Sequence, residues 1–80
     1  MLGLTLASLL TTMSADFCNI METEKDVVKS TLIAYSMANK RYGPDNVIKI
    51  INKSSPLEIR TIAVSSVVTK CPNKLLPKNQ

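Results

Sequence analysis

The sequence predicts an all-α fold, a small bundle of about four short helices closed by one disulfide. Three observations carry that expectation. Apolar residues recur at spacings of three and four through much of the chain. Gly43-Pro44, Ser54-Ser55-Pro56, Pro72 and Pro77 punctuate it into helix-sized pieces. Two cysteines, Cys18 and Cys71, bracket the region expected to fold.

The first fifteen residues carry no charged side chain, and Leu2 to Leu10 is an apolar run interrupted only by Gly3, Thr5 and Ser8. Such a stretch is too short to span a bilayer comfortably. With the small and polar residues Thr11 to Ala15 behind it, it fits the apolar centre and cleavage region of a secretory signal. No Lys or Arg precedes the run, so a basic leader end is missing or truncated, and Met13 occupies a cleavage position that prefers a small residue. Two other readings stay open. The segment is an apolar helix packed on the domain, or translation starts at Met13 in a cytosolic protein. The expected organisation is a signal peptide over 1–15, a helical domain over 16–72 and a flexible tail over 73–80.

Within the domain, Asp16 to Met21 reads as a short helix with Phe17, Ile20 and Met21 on one side. Thr23 is the expected N-cap of the next helix, Glu24 to about Arg41, with acidic residues in its first turn. Val28, Leu32 and Tyr35 form its apolar stripe, widened by Val27, Ala34 and Ala38. Lys40 and Arg41 suit the negative end of the helix dipole, and Gly43 stops the helix.

Pro44-Asp45-Asn46 followed by Val47, Ile48, Ile50 and Ile51 combines a helix start with β-branched side chains. A lone strand would have no partner, which decides for a short helix. Ser55-Pro56-Leu57-Glu58 is a capping box with Pro at the first helical position. The helix behind it carries Ile59, Ile62, Ala63, Val64, Val67 and Val68, and ends at Cys71 because Pro72 pushes its predecessor out of helical dihedrals. Leu75 and Leu76 are expected to pack back from the tail.

A chain of this length buries only about 60% of its unfolded surface and is marginal without a staple. It has no Trp, one Phe and two Tyr, so its core rests on Val, Ile, Leu, Met and Ala. A Cys18–Cys71 bridge would supply the staple, contributing roughly 4 kcal/mol in the chain-entropy model. Two buried free thiols are the alternative in a reducing compartment. A redox-active pair is usually closer in sequence, as in Cys-x-x-Cys.

The chemistry excluded is extensive. With no His, the Ser-His, Cys-His and His-metal constellations cannot form. A zinc site would need two Cys and carboxylates, an unusual set. Glu22 and Asp26 would share a face only if one helix ran through Thr23, and even then a solvated surface is the simpler reading. No catalytic, cofactor-binding or metal-binding residue is assigned, no cofactor is expected, and the chain is not expected to be an enzyme. The net charge of +4 comes from scattered residues, only Lys40-Arg41 being adjacent, so no basic stripe marks a nucleic-acid surface. No stable membrane span is expected.

Two segments resemble the periplasmic acid-stress chaperones of the HdeA/HdeB type. They are Phe17-Cys18-Asn19-Ile20-Met21, a first cysteine in a short apolar helix, and Val67-Val68-Thr69-Lys70-Cys71-Pro72-Asn73-Lys74-Leu75-Leu76, a second one ending an apolar helix. The chain differs from that pattern in having Pro72 directly after the second cysteine, no Trp, and a basic balance.

The resemblance implies an exported helical protein, often a homodimer, that binds unfolded clients through apolar surface exposed at low pH. Carboxylates lose their charge below about pH 4. Neutralising Asp16, Glu22, Glu24, Asp26, Asp45 and Glu58 takes the net charge from +4 to +10. Self-repulsion would then open a marginal fold while the bridge holds the chain as a loop. Two further classes are carried from the sequence. One is an envelope interaction factor of the immunity or exclusion type with a dedicated partner. The other is a cytosolic regulator touching nucleic acid.

Overall fold

The computed structural model describes residues 4–72, and the predicted tail, with Leu75 and Leu76, lies outside them. Among the described residues the fold is all-helical, four helices in the order α1 (Leu6–Met21), α2 (Val27–Tyr42), α3 (Pro44–Lys53) and α4 (Pro56–Lys70). The central element is α1, which contacts α2 and α4 extensively and α3 slightly, while α3 packs mainly on α2.

The short helix expected at Asp16 to Met21 is the second half of this longer α1. No Gly or Pro interrupts Leu4 to Met21, and the Thr5 hydroxyl caps the start by accepting from the Ser8 amide at 3.1 Å. The helix passes through Ala15-Asp16 without a break.

The next boundary also differs from expectation. Thr23 does not cap α2; its hydroxyl donates back to the Ile20 carbonyl and closes α1. Lys25 takes a left-handed φ of 57°, and the cap falls on Asp26, whose carboxylate accepts from the Lys29 amide at 2.9 Å. Glu22 and Asp26 therefore belong to two helix ends, Glu22 as the C-cap of α1 and Asp26 as the N-cap of α2.

The buried face of α2 keeps Ala34 and Ala38 of the expected stripe but not its larger members Val27, Val28 and Leu32. Val28 is 69% exposed and Leu32 63% exposed, whereas Ser30, Ala34 and Ala38 are buried. Those three small residues, each four apart, let α1 approach the backbone of α2 closely, because interhelical distance follows the size of the contact side chains. The large aliphatics are left to the sides.

Gly43, at φ 92°, turns the chain from α2 into α3, with Pro44 starting the helix as predicted. Of the β-branched cluster in α3, Val47 is fully buried and Ile48 exposed. The Ser55 hydroxyl accepts from the Glu58 amide at 3.1 Å, the expected half of the capping box; the return bond from the Glu58 carboxylate is not formed. α4 ends at Lys70, and Cys71 is its C-cap. On α4, Val67 is buried, Ile59, Ile62 and Ala63 are half-buried, and Val64 and Val68 stand out.

Two clusters make up the core. Phe17, Met21, Ala34 and Val67 form one, with Cys18, Ile20 and Cys71 packed against it. Leu9, Ala38 and Val47 form the other, at the opposite end of α1, with Leu4, Met13 and Tyr35 among the side chains around it. The aliphatic core expected from composition is present, with Phe17 added.

Candidate functional site

The two cysteines singled out in the sequence meet. Cys18 on α1 and Cys71 at the end of α4 form a disulfide, their Cα atoms 5.9 Å apart across 53 positions of chain. The bridge sits on the first core cluster and pins the carboxyl end of α4 to the last turn of α1. Below it, Ser30 is fully buried and donates from its hydroxyl to the Met21 sulfur at 3.1 Å, so the polar atom is satisfied inside the apolar layer.

α2 and α4 both lean on α1 but hardly on each other. An apolar groove of about 180 Å³ therefore opens between them. Its floor is α1, through Leu10, Met13 and Phe17. α2 supplies Val27, Thr31 and Ala34, and α4 supplies Ala63, Val64 and Val67.

The edges carry further exposed apolar side chains. Leu57, Val64 and Val68 are exposed on α4, at spacings of seven and four that place them on one helix face. Val27, Val28 and Leu32 are exposed on α2. Val27 and Val64 among these also line the groove.

The electrostatics are sparse. Arg41 on α2 donates from Nη1 to the Asp16 carboxylate on α1 at 3.1 Å, with Asp16 largely covered and Arg41 more open. Lys29 and Glu24 form an exposed pair at 3.6 Å. Among the described residues no group of three or more His, Cys, Asp and Glu is placed to hold a metal ion. None of their helices is long and apolar enough to cross a membrane.

Sequence reasoning located the bridge but not the groove. The signal that points to it is the Ser30-Ala34-Ala38 spacing, which marks the contact face of α2 and leaves Val28 and Leu32 outside. That spacing was hidden by the larger aliphatics beside it.

No family model matches this chain, and no curated protein or solved structure matches it.

Proposed function

We propose that this is a small exported helical disulfide protein that works by binding, not catalysis. Its role is that of an acid-stress periplasmic chaperone taking hold of unfolded envelope proteins. The observation that carries the reading is the apolar groove between α2 and α4, bordered by exposed Val27, Val64 and their neighbours. The disulfide supports an oxidising compartment, since such bridges persist in secreted and periplasmic proteins and are rare in the cytosol.

Acid would widen this surface. Protonating Asp16 removes its ion pair with Arg41, which joins α1 to α2. Loss of the negative charge of all six carboxylates raises the net positive charge and adds repulsion across the chain. The Cys18–Cys71 bridge keeps the opened helices in one loop, so client-binding aliphatics stay together and the charge keeps the complex soluble.

The deciding experiment is suppression of aggregation of an acid-labile client at pH 2–3, with circular dichroism on the same sample. Suppression accompanied by loss of native packing supports the reading. Native structure retained at that pH with no suppression overturns it.

A further inference from the structure

The residues upstream of the predicted processing point are not peripheral. Leu9 is fully buried against Ala38 of α2 and Val47 of α3. Leu4 and Met13 pack on the same cluster, which Tyr35, Tyr42, Ile50 and Ile51 surround. The Tyr42 hydroxyl donates to the Thr12 hydroxyl at 3.1 Å. No charged side chain lies in residues 4–15; the first, Asp16, is also where the ion pairing of α1 begins.

The walls of this slot are also joined to each other and to the rest of α1. α2 and α3 contact each other directly. α4 is tied to the Asp16–Met21 half of α1 by the bridge and by the cluster of Phe17, Met21, Ala34 and Val67. Removing 1–15 would withdraw the apolar first half of α1 and leave Asp16 to Met21 bridged to α4. Leu10, Met13 and Ser14 also floor the α2–α4 groove, so slot and groove would merge into one trough.

We infer that this trough is the client site, and that its ligand class is an uncharged, leucine-rich helix of the kind the chain's own residues 4–15 provide. Occupancy by that segment displays the recognition chemistry. A leucine enters the Ala38–Val47 pocket, an apolar residue follows one turn later, and a hydroxyl three positions after the leucine meets Tyr42. The walls offer no charged partner there, so a charge in the leucine position is rejected. The inference rests on the exported, client-binding reading above and adds the chemistry of the client.

The test uses the exported protein as cells make it, its amino terminus read by mass. A fluorescein-labelled peptide of residues 4–15 is titrated against it at neutral pH, beside the same peptide with Leu9→Asp. The expected result is a protein beginning near Asp16 and saturable one-to-one binding of the first peptide. The Leu9→Asp peptide should bind at least about tenfold more weakly. Val47→Asp in the protein weakens binding likewise, while Ile48→Asp, on the exposed side of α3, does not. Circular dichroism of both variants separates a blocked slot from a lost fold, and helicity gained on adding the peptide to a poorly folded processed chain also supports the slot.

Three outcomes overturn it. The exported protein keeps residues 1–15; or it is processed, helical and blind to the peptide; or it is processed, unfolded and not restored by the peptide. Aggregation suppression at pH 2–3 on the same preparation keeps the two readings apart. Suppression without peptide binding removes the slot alone, and peptide binding without suppression removes the acid-chaperone reading alone.

Discussion

The two ends of α1 are held by different physics. At its carboxyl end, Phe17 and Met21 are buried beside a covalent bridge, and Cys18 ties the helix to α4. At its amino end, Leu9 is as deeply buried, yet the contacts there are entirely non-covalent, through Ala38, Val47 and the Tyr42–Thr12 hydrogen bond. One end survives loss of packing because sulfur keeps its neighbours close. The other depends on burial and one hydrogen bond and is the end from which the fold should open. A domain of this size can have one firm end and one releasable end.

The comparison breaks most completely if the bridge is removed. Cys18→Ser with Cys71→Ser is expected to lower stability by about 4 kcal/mol, comparable to the whole stability of a domain this small. Urea unfolding followed by circular dichroism checks it. An unchanged midpoint would mean that the firm end owes nothing to sulfur.

In the chain that retains residues 1–15, Leu9→Ala attacks the other end. A fully buried leucine cut to alanine should cost about 3 kcal/mol. The loss should be local, with backbone amides of α3 around Val47 exchanging faster while those of α4 near Val67 keep their protection. Uniform loss of protection would show that the two ends do not act separately.

Between the ends lies the small-residue face of α2. Ala34→Leu, at a position only 2% exposed, should overpack the contact with α1 and cost about 2 kcal/mol in thermal unfolding. Asp16→Asn removes the ion pair with Arg41 and should cost less than about 1 kcal/mol, with the difference shrinking in high salt. Leu32→Lys should change stability by less than about 0.5 kcal/mol, because that side chain already faces water. A cost of several kcal/mol for Leu32→Lys would restore it to the buried stripe and overturn the orientation of α2 described above. The same substitution should weaken client capture if the exposed aliphatics of α2 take part.

Much of the helical layout was legible because it is written in local chemistry. Pro44 and Pro56 have their fixed φ at first helical positions, Ser55 meets the Glu58 amide, and Pro72 ends α4. Each of these works over three or four residues, so no distant partner is needed to see it. The start of α2 was misplaced for a related reason: Thr23 and Asp26 are both competent caps three residues apart. The choice between them was made by the left-handed turn at Lys25 and by the Thr23 hydroxyl closing the previous helix. The groove was not legible at all, since it is a space between α2 and α4 that exists only once both have taken their places on α1.

Alone, the residue order determined that the chain is helical, where Gly and Pro divide it, and which two cysteines were available to staple its ends. It also ruled out histidine chemistry, because the side chain is absent. Tertiary structure alone decided which side of each helix is inside. Apolar periodicity is ambiguous when a helix carries aliphatics on several faces, as α2 and α4 do, and close approach of helices selects small side chains such as Ser30, Ala34 and Ala38 over larger ones. That same geometric selection left Val28 and Leu32 of α2 in contact with water.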